Sequence, residues 1–174
     1  MPTFAVPPPP RDLKDLLDRA AIADVVHGYA HGVDRRDWAL YRSIFTDEVD
    51  IDFSTWGNLK QRYAADVWVG MVRQTLACFD ATQHTLTNLA ITLDGDTATC
   101  IAKMTARHVL LAEGASHSQT LGGYYTNRLV RLAAGWKIAG CALMITWEEG
   151  DRALFEQAQA RGTRSRIDVG MQGA

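Results

Sequence analysis

The sequence predicts an α+β protein in which helices come first and a sheet follows. Between about residues 11 and 79, apolar residues recur at spacings of three and four, which is the period of amphipathic helices. From Gln83 onward the pattern changes to runs in which apolar and polar residues alternate, which is typical of half-buried strands. Two short glycine-containing segments, 94–96 and 133–135, separate these runs and predict hairpins.

Length and composition restrict the class of protein. A chain of 174 residues that is 47% hydrophobic can bury one sizeable core, so we predict a single domain over residues 11–161. The net charge of -2, from 18 basic and 20 acidic residues, gives no field that would favour nucleic acid or an anionic membrane. The composition therefore favours a soluble protein with a small-molecule or a protein partner, and a small-molecule substrate is our prediction.

The cysteines and the N-terminal sequence indicate a compartment. Cys78, Cys100 and Cys141 lie in apolar runs without the spacing of a zinc site, so buried free thiols are expected. The chain shows no signal-peptide pattern, and none of its apolar runs approaches the roughly 20 residues that span a bilayer. We therefore expect a cytoplasmic protein.

The first elements are an extended arm and a long helix. Residues 1–10 end in four prolines, Pro7 to Pro10, which favour an extended segment that could reach a neighbouring subunit. The helix follows from Arg11, and its expected buried stripe consists of Leu13, Leu16, Leu17, Ala20, Ala21, Val25, Val26, Tyr29, Ala30 and Val33.

The remaining elements follow from the same periodicities. Asp37 is an expected N-cap, and the Gly57-Asn58 pair marks a turn. The predicted order is a helix from Asp37 to Phe45, a strand from Val49 to Phe53, a helix from Ala64 to Phe79, strands over 83–93, 97–111, 121–132 and 136–147, and a helix from Asp151 to Arg161. Residues 162–174 are predicted to form a flexible tail.

A carboxylate, Asp34, ends the apolar face of the first helix. A buried charge needs a partner, and we predict that His84, at the start of a later strand, is that partner. A histidine held by a carboxylate is a common general base near neutral pH. The alternatives are that Asp34 pairs with Arg35 or Arg36, and that His84 is an ordinary core histidine.

The strand from Thr97 has the clearest alternation in the chain. Its inward face consists mostly of small residues and includes a second histidine, His108. The small side chains leave room for a pocket beside the sheet. We therefore expect His84 and His108 to reach that pocket from neighbouring strands, although His108 could also be a packed core residue.

A metal site is the competing interpretation of the first helix. His27, His31 and Asp34 are spaced i, i+4 and i+7, and two histidines with one carboxylate can bind iron or zinc. Metal analysis of the purified protein distinguishes this interpretation from the dyad.

Several motifs together resemble the SnoaL-like branch of the NTF2-like superfamily. They are Arg19–Asp24, Val33–Trp38, Phe45–Glu48, Gln83–Asn88, Asp94–Ala98, Gly122–Tyr125 and Gly135–Ile138. Within that branch the chain most resembles the scytalone dehydratase, lindane dehydrochlorinase and bile-acid 7α-dehydratase families. The resemblance implies a cone-shaped half-barrel, in which a curved mixed or antiparallel sheet is wrapped by N-terminal helices around an apolar pocket. It also implies neither cofactor nor metal.

The resemblance assigns roles to particular residues. The catalytic dyad of these enzymes corresponds to Asp34 and His84, their second active-site histidine to His108, and the pocket asparagine of scytalone dehydratase to Asn127. The residues expected to bind substrate are Tyr29, Tyr41, Phe53, Trp56, Trp68, Met104, Tyr125, Asn127 and Leu143.

The chain also departs from these relatives. Val33 and Phe53 stand where scytalone dehydratase has pocket tyrosines, and Tyr29 and Cys141 stand where the dehydrochlorinase has a lysine and an arginine. Neither enzyme's substrate is therefore transferred to this chain.

These observations predict a cofactor-independent lyase that eliminates water or another small fragment from a small, largely apolar aromatic or alicyclic molecule. A double-bond isomerase or cyclase would use the same dyad. The alternative from another class is a non-catalytic module that binds a ligand or a partner, including a small oxygenase subunit. Because the related dehydratases are commonly trimers, we expect a homo-oligomer, with a trimer favoured over a dimer.

Overall fold

The computed structural model describes residues 6–57, 59–112 and 114–162. In chain order its elements are α1 (Leu13–Asp34), α2 (Trp38–Ser43), β1 (Phe45–Phe53), β2 (Leu59–Ala64), α3 (Ala65–Leu76), β3 (Ala81–Asp94), β4 (Thr97–Ala112), β5 (Ala115–Leu132), β6 (Gly135–Gly150) and α4 (Leu154–Arg161). The predictions for residues 1–5 and for the tail from 163 to 174 lie outside the described residues.

The six strands form one mixed sheet in the order β2-β1-β6-β5-β4-β3. Strands β1 and β6 run parallel, and every other neighbouring pair is antiparallel. The two predicted hairpins are present, with Gly95 (φ 58) in the β3–β4 turn and Gly135 (φ 105) at the β5–β6 turn. Both positions need the positive φ that glycine adopts without strain. The α+β class with N-terminal helices and a mixed sheet is therefore confirmed.

Strand β2 is an element that we did not predict. It lies at the edge of the sheet, paired only with β1, and residues 60–62 are all exposed. Edge strands often carry charged side chains, so β2, with Lys60 and Arg62, lacks the apolar alternation that identifies inner strands. Helix α3 begins directly after β2, at Ala65. It ends at Leu76, before the predicted end at Phe79.

The buried stripe predicted for the start of α1 is wrong. Leu13, Leu16 and Leu17 are 69%, 52% and 62% exposed, whereas Asp15 and Asp18 are buried. The expected face is correct only further along the helix, where Val26 and Val33 are buried. Exposed leucines on one helix face are compatible with self-association, which stays a prediction. No helix among the described residues is both long and apolar enough to cross a membrane.

Ion pairing explains why α1 turns Asp18 toward the sheet. Arg131 on β5 donates hydrogen bonds of 2.6 and 2.5 Å to the two carboxylate oxygens of Asp18, and the indole nitrogen of Trp136 donates a third at 3.2 Å. Lys14 adds a fourth donor at 2.9 Å. These hydrogen bonds, above all those from Arg131, hold the pKa of Asp18 well below its usual range.

Close packing of α2 on α1 fixes the position of the C-terminal end of α1. A Cβ atom on Gly32 would lie 2.8 Å from the Cβ of Tyr41, so a larger residue would force the two helices apart. Helix α1 also packs against β3. Together these contacts direct the last residue of α1, Asp34, toward the start of β3.

The inner face of β4 confirms the predicted alternation. Its buried residues are Ala98, Cys100, Ala102, Met104, Ala106, His108 and Leu110. On β3, His84 faces inward as predicted, and Leu86 shares its face. Asn88, two residues further on, does not continue this face, because it has a positive φ of 52 and is exposed where the register of β3 against β4 shifts.

Candidate active site

Asp34 and His84 form the predicted pair. The carboxylate Oδ1 of Asp34 lies 2.7 Å from Nδ1 of His84, and its Oδ2 accepts a 2.6 Å hydrogen bond from the backbone N–H of the same residue. Because an ionised carboxylate can only accept, Nδ1 carries the proton, and Nε2 of the neutral ring carries a lone pair. The side chain of His84 is 4% exposed and that of Asp34 21%.

Beside His84 lies a cavity of about 180 Å³ between the sheet and the helices. Its walls are formed by Tyr29, Phe53, Trp56, Leu59, Trp68, Met71, Val72, Thr75, Leu76, His84, Met104, Ala106, His108, Leu121, Tyr125, Leu143 and Phe155. None of these lining residues is a lysine, arginine, aspartate or glutamate. The cavity is therefore apolar, with a few hydroxyl and ring N–H groups in its walls.

Most residues that we expected around the substrate line this cavity. They are Tyr29, Phe53, Trp56, Trp68, His84, Met104, His108, Tyr125 and Leu143. Asp34 lies behind His84, as its orienting role requires. Tyr41 and Asn127 are buried but are not among the lining residues. Tyr41 packs behind Tyr29 with ring centroids 5.0 Å apart, and Asn127 pairs across the sheet with Cys100 and Cys141.

A group of buried hydroxyls forms one wall of the cavity. The Tyr125 hydroxyl donates a long hydrogen bond of 3.4 Å to the Tyr29 hydroxyl. The Tyr41 hydroxyl and the Trp68 indole nitrogen adjoin this group, and neither has a hydrogen-bond partner among the described residues. Burial raises the pKa of all three tyrosines well above the usual value. All three therefore remain protonated, and the two that line the cavity, Tyr29 and Tyr125, can donate hydrogen bonds to an oxygen atom in it.

His108 faces the cavity beside His84, with ring centroids 5.7 Å apart. Phe79 and Phe155 pack against the His108 ring at 5.1 and 4.8 Å, and its Nδ1 has no hydrogen-bond partner among the described residues. Burial, followed by the proximity of His84, lowers the pKa of His108 to about 3. A hydrogen bond between the ring and the Gln119 backbone acts in the opposite direction but does not outweigh burial, so the ring is neutral near pH 7.

The neutral state of His108 predicts how stability depends on pH. The unfolded chain takes up a proton at this residue near pH 6.5, whereas the folded protein resists it until about pH 3. The unfolded state thus binds more protons in this window, so the free energy of unfolding should fall as pH decreases from 6.5 toward 3, by up to about 1.4 kcal/mol per pH unit.

Urea unfolding of the His108→Phe variant between pH 7 and pH 4 tests this expectation. The substitution keeps a ring in the core and should reduce the slope of stability against pH. His27→Phe, on the exposed side of α1, is the matched control and should keep the wild-type slope. Identical slopes in wild type and His108→Phe would contradict the neutral state of His108.

Phe155, on α4, is the main lining residue that we missed. Its ring contacts Trp56 from the β1–β2 turn at 5.3 Å and Phe79 at 4.9 Å. Arg152 stacks on the Trp56 ring with its guanidinium carbon 4.0 Å from the ring centroid. Arg161 anchors α4 to Asp80 at 2.7 Å. Helix α4 therefore covers part of the cavity, through contacts between residues far apart in sequence.

The residues of the metal interpretation do not converge. His27 and His31 are exposed on α1, whereas Asp34 turns toward His84. Among the described residues, no three histidine, cysteine, aspartate or glutamate side chains are grouped closely enough to hold a metal ion.

Comparisons with known proteins identify relatives of this chain. A family model described as a SnoaL-like domain matches residues 14–142. "Terrestric acid biosynthesis cluster protein E" of Penicillium crustosum is 30% identical over 146 residues, covering 80% of this chain and 90% of that protein. The crystal structure of the Kfla4162 protein from Kribbella flavida is 28% identical with a TM-score of 0.74, covering 82% of this chain and 98% of that one.

Two more distant structures have the same fold. A putative scytalone dehydratase from Novosphingobium aromaticivorans is 17% identical with a TM-score of 0.69, over 90% of this chain and 95% of that one. A hexachlorocyclohexane dehydrochlorinase (LinA, type 2) is 23% identical with a TM-score of 0.66, over 80% and 93%. At these identities the likeness concerns the fold alone, and it confirms the expected NTF2-like fold.

Proposed function

We propose that this chain, which belongs to the SnoaL-like domain family, is a cofactor-independent lyase. Its substrate is a small, largely apolar ring compound, aromatic or alicyclic, from which it eliminates water or another small fragment. The observation that carries this proposal is the His84–Asp34 pair at the wall of an apolar cavity.

The geometry of the pair suits a general base. The carboxylate of Asp34 holds the proton of His84 on Nδ1, so the lone pair of Nε2 is free to accept another proton. When His84 becomes positively charged, Asp34 stabilises the imidazolium at 2.7 Å. Within the part of the chain that the structure describes, the other ionisable groups in the cavity wall are His108 and two tyrosines, all of them neutral near pH 7. His84 is thus the base.

In the proposed elimination, each proton has a defined donor and acceptor. His84 removes a proton from a carbon of the substrate, and the electrons of that C–H bond form the new C=C bond as the bond to the neighbouring hydroxyl breaks. The departing hydroxide leaves beside neutral His108 and takes up the proton held on His84, which completes the water. Tyr29 and Tyr125 donate to another substrate oxygen, where they stabilise the negative charge that develops.

Size and charge of the cavity restrict the substrate. Its volume of about 180 Å³ is near the roughly 150 Å³ of an engineered cavity that holds benzene. A single ring with a few small substituents therefore fits better than a fused multi-ring compound. Because no cationic side chain among the described residues lines the cavity, a phosphate or carboxylate group would find no partner in these walls. The substrate is expected to be neutral.

The names of the relatives agree with this class of chemistry. The Penicillium protein is named for a biosynthesis cluster, which indicates small-molecule metabolism. Dehydration and dehydrochlorination, the activities that the two distant structures are named for, are both eliminations. They support the reaction type and give no substrate for this chain.

Conversion of a panel of neutral ring compounds tests the proposal. The panel contains single-ring ketones with a hydroxyl or a halogen two carbons from the carbonyl, and products are followed by mass spectrometry. We expect at least one compound to yield a product lighter by one water or one hydrogen halide, and no product with His84→Ala. An isomerase would give a product of unchanged mass. Tight binding without any conversion would favour the binding module and contradict the proposal.

A further inference from the structure

We infer that Thr82 is a positioning residue for the base, because its hydroxyl holds the carboxylate that orients His84. The Thr82 Oγ1 donates a 3.0 Å hydrogen bond to Oδ1 of Asp34, the same oxygen that faces the His84 ring. Thr82 does not line the cavity, so it acts through Asp34. The inference rests on the proposed function, since it concerns the same base.

The location of Asp34 explains why its carboxylate needs several donors. It is the last residue of α1, a helix of 22 residues, and the C-terminal end of a helix dipole disfavours a negative charge. The structure offsets this cost with hydrogen bonds from the Thr82 hydroxyl, the His84 backbone N–H and His84 Nδ1. Two of these three donors belong to the residue that the carboxylate must orient.

At Oδ1 of Asp34, the Thr82 hydroxyl is the donor that does not move with the His84 ring. Thr82 lies on β3, two residues before His84 and on the same face, and pairs with His108 across the sheet. Backbone pairing therefore fixes its position whatever its side chain is. A β-branched side chain also has few χ1 rotamers, so the hydroxyl is held toward Asp34 at little entropic cost.

Removal of this hydroxyl changes the alignment of the pair. The carboxylate loses a fixed contact at Oδ1 and can rotate away from Nδ1, so the imidazole is less often aligned with the substrate. Turnover should therefore fall, whereas substrate binding should change little, because Thr82 does not line the cavity.

Steady-state kinetics of Thr82→Val in the full chain test the inference, with a compound that the wild type converts. Valine keeps the shape and the β-branch but has no donor. We expect kcat to fall by about ten-fold, the scale seen when partners behind a functional histidine are removed, with little change in KM. Thr82→Ser, which keeps the hydroxyl, should restore most of kcat.

Thr85→Val is the matched control, because Thr85 lies on the same strand with an exposed side chain. It should leave kcat unchanged. An unaltered kcat in Thr82→Val would overturn the inference, as would an equal loss in both valine variants or a failure of serine to restore activity.

Failure of the inference and failure of the proposed function give different results. If the proposed function fails, His84→Ala stays as active as wild type or the wild type converts no compound. The positioning role is then read from the Nδ1 proton of His84 by nuclear magnetic resonance. Its exchange with water should be several-fold faster in Thr82→Val than in wild type and Thr82→Ser, and equal rates would overturn the inference.

Discussion

Asp34→Asn is expected to lower turnover by about two to four powers of ten while the fold is retained, as for other pairs of histidine and carboxylate. The amide keeps the shape of the side chain, but it lacks the charge that stabilises protonated His84. It can also donate a hydrogen bond to Nδ1 and so favour the wrong tautomer, with the proton on Nε2. Ligand binding should weaken far less, because Asp34 does not line the cavity.

The His84→Ala variant and the double variant complete this test. His84→Ala should lose about as much turnover as Asp34→Asn, and the double variant should be little worse than either, because residues that act as one unit are not additive. Asp24→Asn, at an exposed position of the same helix, is the control and should keep full activity. Two single variants that stay active but lose stability would identify the pair as a structural contact.

Asp18→Ala is expected to lower the free energy of unfolding by about 2 kcal/mol, between the values for exposed and for buried ion pairs. The variant removes the acceptor of two Arg131 N–H groups and of the Trp136 indole N–H, while Arg131 keeps its 2.9 Å hydrogen bond to Asp96. Urea unfolding at pH 7 measures the change. Turnover per folded molecule should be unchanged, because Asp18 is remote from the dyad along α1.

Asp24→Ala controls for the loss of a carboxylate from α1. Its side chain is exposed, so the expected change in the free energy of unfolding is within about 0.5 kcal/mol. Equal effects of the two substitutions would contradict a stabilising role of the Asp18 network. Since the pKa of Asp18 is lowered in the folded protein, its contribution should be lost as the pH falls below the usual range of carboxyl groups.

These ion pairs also show why periodicity failed at the start of α1. Both faces of this helix segment have helical spacing: Leu13, Leu16 and Leu17 lie on one, and Asp15 and Asp18 lie on the other. A count of apolar residues selects the leucine face. The structure selects the aspartate face, because Arg131 and Trp136 lie opposite it more than a hundred residues later, and the sequence pattern alone does not show that contact.

Local chemistry predicted the centre of the site more reliably. The alternation along β4 placed His108 inward, and the cost of an unpaired buried carboxylate led from Asp34 to His84. The alternation of a strand and the cost of a buried charge can each be recognised from a short stretch of sequence. Phe155 was missed because it reaches the cavity from α4 through packing between distant elements.

The set of residues expected to bind the substrate was predicted less accurately than the dyad. Tyr41 and Asn127 were expected at the substrate, but both are buried outside the lining of the cavity. The nearby Tyr29 and Tyr125 have hydroxyls in the wall and are better placed to contact a ligand. Thr82 belongs to none of the family motifs and to no periodic pattern, and its role follows from its hydrogen bond to Asp34 in the folded structure.

Exchange of substrate hydrogen with deuterium oxide tests most directly whether His84 is a carbon-centred base. A neutral ring ketone that binds the cavity is incubated in deuterium oxide with wild type, His84→Ala and Asp34→Asn, and its mass is followed over time. We predict that the wild type introduces deuterium next to the carbonyl or releases the eliminated product, and that both variants do so at least a hundred-fold more slowly. Exchange at equal rates in wild type and His84→Ala would contradict the assignment of His84 as the base.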